Sequence, residues 1–229
     1  MNDRRVEALR RIIEDDFGET KQTYIDVERP AAGLIEALLE LASLLPEDWN
    51  IIIKTVNALI KGARPADALE LIDRSLASGH LDLAREQPLS EWIDLSGVLA
   101  TRSNLLWTLG RRDEAVKQIR NRLKIKSDVA TEETLAVWLS EMGQHEHVIE
   151  IAAPHERLVV EGHRLPGLGL ALGKAYKAIG DRDHAVGVLW GAFCAGADRD
   201  LVIAELHSLG YKIVRKGEEY RLKKRGLFG

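Results

Sequence analysis

The feature that most constrains this chain is a spacing that recurs along it. Near the C-terminal third, Leu172-Gly173, Tyr176, Gly180, Ala185, Leu189 and Ala192 fall at fixed intervals within one unit starting near Pro166. The frame can be laid on earlier segments. From about Ser96 it meets Leu99, Leu106, Gly110, Ala115 and Ile119, and from about Val129 it meets Leu135, Ala136, Leu139, Gly143 and Val148. From about Trp49 it meets Ile52, Val56, Leu59, Ala68 and Ile72, with Gly62 one place early. The starts are 47, 33 and 37 residues apart, so the irregularity predicts insertions, chiefly around Gly79 to Leu89. A period near 34 residues is the signature of stacked supersecondary units, each unable to bury its apolar face alone.

Each unit reads as two helices. Apolar residues step by three and four, as at Val6, Leu9, Ile13 and Phe17, or at Leu34, Ile35, Leu38, Leu41, Ala42 and Leu45. Further helices are expected near 49–61, 66–78, 90–109, 112–124, 131–142, 145–153, 167–179, 182–194 and 199–208. Aromatics are only 5 % of the chain, which favours helix over sheet. Small residues at the two Ala positions and the Gly let paired helices cross closely. Thr23 to Val27 is a short β-favouring stretch. Tyr211 to Arg215 and Glu219 to Lys223 alternate apolar and polar around a Gly-containing turn, so a C-terminal hairpin is expected.

This spacing resembles the tetratricopeptide repeat (TPR), in which Leu-Gly-x-x-Tyr precedes a turn Gly and two Ala positions on a second helix. The resemblance covers roughly residues 31–208 and implies an all-α, TPR-like α-α superhelix, or solenoid, of about four repeats with a small β-hairpin at its end. Arg102 and Ser103 replace the usual Leu and Gly in the second unit, and Pro154 cuts short the second helix of the third. The expected organisation is an N-terminal amphipathic helix and extended segment over 1–30, a repeat domain over 31–208, and a basic hairpin and tail over 209–229. In similar proteins the first helices line a concave face that binds a peptide or partner helix. That implies a non-catalytic adaptor or scaffold for protein–protein interaction. The inward positions implied here are Ile53, Asn57, Ile60, Asn104, Trp107, Val137, Lys174 and Lys177. Asparagine can pair with both donors and acceptors of an extended backbone. Some TPR proteins grip a C-terminal carboxylate with a Lys/Asn/Arg set; Thr101 and Thr134 stand where its partner cations would be, so that clamp is not expected.

Other chemistry finds little support. His145 and His147 point to different faces of a helix, and with His155 and His163 they follow no zinc-ligand pattern. Cys194 reads as a small buried core residue. Gly167, Gly169 and Gly173 lack the preceding strand of a dinucleotide site. No cofactor, metal or catalytic constellation is expected, and one cysteine excludes an intrachain disulfide. The opening residues carry charges of both signs and no apolar run, and no stretch reaches bilayer length, so a cytoplasmic protein away from membranes is expected.

The formal net charge of −4 hides an asymmetry. Residues 211–229 carry Lys212, Arg215, Lys216, Arg221, Lys223, Lys224 and Arg225 against two Glu, a balance of +5, leaving −9 on the rest. The segment from Leu206 to Leu222 also resembles the last helix and wing of winged-helix domains. The alternative function is therefore a regulatory nucleic-acid-binding protein using this basic hairpin. Asp198 and Asp200 at the start of the helix that would face phosphate argue against it. The body–tail asymmetry also makes self-association a possibility.

Overall fold

A computed structural model of the chain describes residues 2–17, 30, 32–78, 81–161, 165–216 and 219–224. The chain forms two compact units, Met1–Lys126 and Ser127–Gly229.

The first unit contains α1 (Asn2–Phe17), α2 (Ala32–Leu44), α3 (Trp49–Lys61), α4 (Pro65–Leu76), α5 (Leu95–Thr108) and α6 (Arg112–Ile125). Each packs on the next in sequence along a chain of antiparallel neighbours, except that α5 reaches α4 across a long connection. Leu9 and Ile13 are the buried side of α1, and Arg5 ties it to α2 by a 2.5 Å ion pair with Glu40. Leu38, Leu41, Ile52, Val56, Leu59, Ile72 and Leu106 form the core. The stretch Thr23 to Val27 lies outside the described residues.

The second unit contains α7 (Val129–Glu141), α8 (His145–Ala152), a 3₁₀ turn over Ala153–His155, α9 (Glu156–Val160), α10 (Pro166–Ala178), α11 (Arg182–Ala195), α12 (Arg199–Ser208), and the antiparallel strands β1 (Tyr211–Lys216) and β2 (Glu219–Lys224). Its core is Leu135, Leu139, Leu168, Leu172, Val188, Leu189 and Leu206.

The repeat is visible in the hairpin turns. After α5, α7 and α10 the chain passes through Gly110, Gly143 and Gly180 at φ +77°, +71° and +86°. The next residue's N–H then donates back to Leu106, Leu139 and Tyr176 at 2.9 Å each, satisfying a carbonyl at the helix end. Between α3 and α4 the same bond, Arg64 N–H to Leu59 O, is 2.8 Å, but the left-handed residue is Ala63 at φ +58°. Gly62 serves another purpose. A Cβ there would lie 2.7 Å from Ile35 Cδ1, so its missing side chain lets α2 approach.

Three local expectations are corrected. The helix expected from 90 begins at Leu95, because Asp94 takes the N-cap position and accepts from Gly97 N–H at 2.5 Å. The third hairpin carries an unexpected short helix, α9, after the turn that contains Pro154. Cys194 is exposed rather than buried, because Ala185, Leu189 and Ala192 define the buried side of α11. No described helix is long and apolar enough to cross a membrane.

Candidate functional site

In the first unit, α3 and α5 are joined through α4 and the insertion that breaks the repeat. The insertion folds back on itself. Leu89 N–H and Ser90 N–H both donate to Ile93 O, at 2.9 and 3.1 Å, and Leu95 N–H donates to Gln87 O at 3.0 Å. Side chains anchor this loop to the helices. Ser90 Oγ donates to Asn50 Oδ1 on α3 at 3.1 Å, and Lys126 Nζ pairs with Glu86 at 2.8 Å. The result is a tight lip that holds Trp92 out, 73 % exposed, the highest value among the large hydrophobic side chains described.

Between this lip and the first helices lies a cleft of about 260 Å³. Ile53 and Asn57 line it from α3, and Gly97, Val98 and Thr101 from α5. Trp92, Ile93 and Asp94 close it on the lip side. Ile53 and Asn57 are one helical turn apart, as are Gly97 and Thr101, so each helix presents one face. Thr101 Oγ1 donates to Gly97 O at 3.1 Å, a bond internal to α5. Among the described residues Asp94 is the sole charged one in the lining; Lys54 and Lys61 of α3 lie outside it.

The remaining positions from the sequence reading are dispersed. Ile60 is 41 % exposed on α3. Asn104 is exposed on α5, one turn beyond Thr101. Trp107 is half-buried, with the Arg112 guanidinium 4.9 Å over its ring, and does not line the cleft. In the second unit, half-buried Val137 lies against the start of α10, within 3.2 Å of where a Gly167 Cβ would stand. Glu133 accepts from Gly167 N–H and Leu168 N–H at 2.7 and 3.0 Å, neutralising that helix start. Lys174 is half-buried, and Lys177 is ion-paired with Glu205 of α12 at 2.6 Å.

The hairpin separates its residues by face. Cross-strand partners Tyr211 and Lys224, Ile213 and Leu222, and Arg215 and Tyr220 share one face; Lys212 and Lys223, Val214 and Arg221, and Lys216 and Glu219 share the other. The first face packs on the second unit. Tyr220 meets Phe193 edge-on at 5.3 Å, and Arg199 stands 5.7 and 5.5 Å from those two rings. The second face leaves Lys212 opposite Lys223, a repulsive pairing with no ion-pair partner for either among the described residues. Arg221 is paired with Glu219 at 3.1 Å, and Arg225 lies outside the described residues. At the start of α12, Asp198 accepts from Leu201 N–H at 3.1 Å and Asp200 adds a second carboxylate.

Among the described residues no group of three His, Cys, Asp or Glu side chains is placed to hold a metal ion. His155 Nε2 instead contacts Glu132 at 2.6 Å. Tyr176 donates to Glu156 at 2.6 Å, and burial with this bond pushes its hydroxyl pKa well above the ordinary tyrosine value. His184 is raised from its usual value, first by its hydrogen bond to Asp181 and then by the charges of Asp181 and Glu156. The bonds of His155 and Tyr176 join separate helical segments, whereas His184 and Asp181 belong to the start of α11 itself.

Comparison with solved structures decides the fold. The chain superposes on MamA with a TM-score of 0.58 over 82 % of this chain and 91 % of that one, at 18 % identity. It superposes on YrrB, described as a TPR protein with an unusual peptide-binding site, at 0.57 over 87 % and 97 %, with 14 % identity. A Podosopora anserina putative kinesin light chain with nearly identical TPR-like repeats gives 0.56 over 83 % and 92 %, at 16 % identity. The fold is TPR-like. No family model matches the sequence, and no curated protein matches it. A TPR-like frame makes α3, α5, α7 and α10 the first helices of successive hairpins, with the cleft between the first two. Sequence reasoning missed Trp92 and Ile93. Both fall just past the insertion expected over Gly79 to Leu89, inside the helix expected from 90, which the structure begins only at Leu95.

Proposed function

We propose that the protein is a non-catalytic interaction module, an adaptor or scaffold, that binds an extended peptide segment of a partner along its first helices. The observation that carries this reading is the cleft in the first unit. Two first helices and an anchored lip converge there on a mixed lining, in which Ile53 and Ile93 stand beside the Asn57 amide and the Asp94 carboxylate. Ile53 and Ile93, both half-buried, can take an apolar side chain, and the Asn57 amide can meet a peptide backbone. Exposed Trp92 supplies what hot spots commonly use, a rigid aromatic surface that gains on desolvation. A tryptophan side chain buries roughly 150–250 Å² when enclosed. Covering the exposed share would contribute about 3–4 kcal/mol at ~25 cal/mol per Å². Asn104 extends the same helix face outward, and Lys174 and Val137 are the corresponding candidates on the second unit. That one TPR-fold structure, YrrB, is described by a peptide-binding site is consistent with this use of the fold. A cytoplasmic setting belongs to the same reading.

The test is selection of phage-displayed random peptides on the full-length chain. Peptides should be enriched that bind wild type and lose binding to Ile53→Glu and Asn57→Ala, with both variants keeping the wild-type circular dichroism. Failure to enrich any peptide, or binding that ignores both substitutions, rejects the reading.

A further inference from the structure

Resting on that reading, we infer that the cleft selects a lysine or arginine side chain of the bound peptide, seated between the Trp92 indole and the Asp94 carboxylate. Three observations carry this. First, among the described residues the lining has one charge, and it is negative. Asp94 spends one oxygen, Oδ1, on the Gly97 N–H, while its exposed carboxylate keeps Oδ2. Second, Thr101 lies in the same cleft with its hydroxyl turned to Gly97 O, and no cation stands beside it among the described lining residues to oppose Asp94. The polarity of the site is therefore set for a cationic ligand group and against an acidic one. Third, the lip presents Trp92 with 73 % of its surface exposed while its backbone is pinned by the paired bonds to Ile93 O and by Ser90 on Asn50. A held aromatic face beside a carboxylate is a receptor for an ammonium or guanidinium group. The methylene stem of Lys or Arg needs apolar cover, of the kind Ile53 and Ile93 provide in the lining. Glu91, exposed next to Trp92, adds a second negative charge at the rim.

The experiment uses the peptides selected on the full-length protein, each resynthesised with Lys or Arg replaced by norleucine, and measured by fluorescence anisotropy. The inference expects a shared Lys or Arg, and an affinity loss of about five- to tenfold on its replacement. Asp94→Asn keeps a good N-cap residue for α5 while removing the charge. It should give a similar loss for the parent peptide and almost none for the norleucine version. Trp92→Ala should weaken both, the parent more. Parent binding should fall as salt rises. Peptides that depend on Ile53 and Asn57 but show no Lys or Arg preference, or that ignore Asp94→Asn, would overturn this inference and leave peptide binding standing. Peptides indifferent to Ile53, Asn57 and Trp92 together would overturn both.

Discussion

Two glycines four residues apart on α11 should respond to the same substitution with opposite signs. At Gly187 an added Cβ would meet nothing within 4 Å. Alanine there trades a poor helix former for the best one, so Gly187→Ala should stabilise the second unit by about 0.5–1 kcal/mol. At Gly191 the same methyl would stand 2.2 Å from the Val159 carbonyl oxygen, 2.9 Å from its carbon and 3.0 Å from Val160 Cα. These are backbone atoms, so no rotamer change relieves the contact. To reach an ordinary separation α9 must retreat by about 1 Å, and Val159, fully buried now, must withdraw from the site it fills beside Gly169 and Ala192. Overpacking of this kind costs typically about 1–3 kcal/mol, and losing the burial of a valine costs about as much at the upper limit. Subtracting the helix-propensity gain of up to ~1 kcal/mol from the overpacking cost alone leaves about 0–2 kcal/mol, and the lost burial of Val159 adds to that, so the net effect is destabilising. The assay is urea unfolding of both variants and wild type, followed by far-ultraviolet circular dichroism. The midpoint should rise for Gly187→Ala and fall for Gly191→Ala. Equal stabilisation by both would mean that α9 does not rest on α11 and would refute the packing argument.

Ala63→Gly should raise stability of the first unit by up to ~1 kcal/mol in the same assay, since its φ of +58° is one that alanine adopts only at a cost. Trp92→Ala should leave that unit's unfolding midpoint within the change of about 0.5 kcal/mol expected of a surface substitution, because the indole is already in water. Tyr220→Ala should loosen the hairpin by about 1 kcal/mol through loss of the Phe193 edge contact and the Arg199 cation–π contact, seen as faster amide exchange at Ile213 and Leu222. His184 has a folded-state pKa above its unfolded value, so its contribution is fully present below about pH 6.5 and disappears as pH rises through the raised value. His184→Gln should therefore narrow the gap to wild type at alkaline pH, measured as unfolding midpoint against pH.

The hairpins after α5, α7 and α10 were legible because their turns obey a local rule. A left-handed residue is required, and glycine supplies it at Gly110, Gly143 and Gly180. The rule was misleading at Gly62, where packing of Ile35 claims the glycine and the turn falls on Ala63. Only the three-dimensional approach of α2 separates those two uses. The hairpin strands were legible from alternation, yet their two-faced character depends on register, which puts Lys212 across from Lys223 and Ile213 across from Leu222. Helix α9 was not legible. Pro154 marks where α8 must stop, but five residues, Glu156 to Val160, are too few to show a period. Its place is fixed instead by Gly169 and Gly191, on elements that follow it in sequence. Of the candidate site, Ile53 and Asn57 were legible through the TPR resemblance, which implies inward positions on first helices, whereas Trp92 sits in a loop for which that frame has no position.

That last difference bears on how a repeat fold acquires a specific site. A regular hairpin array offers the same face again and again, and its small residues are committed to helix crossing. The large, exposed, chemically distinct group must enter where the period fails. Here the failure lies between α4 and α5, and the extra residues do more than bridge a distance. Ser90 on Asn50 and Glu86 with Lys126 tie them to helices on either side. Asp94, which starts α5, also lines the cleft, so the residue that restores the repeat belongs to the site. Shortening the insertion should separate the two roles. Replacing residues 83–92 by a short Gly/Ser linker, with Asp94 retained as the cap, should leave α5 helical and the first unit folded, because the deleted segment supplies none of its fully buried side chains. The shortened chain should bind the selected peptides at least as weakly as Trp92→Ala is expected to. Retained binding with the lip gone would place recognition on the helix faces alone and would make the indole irrelevant to it.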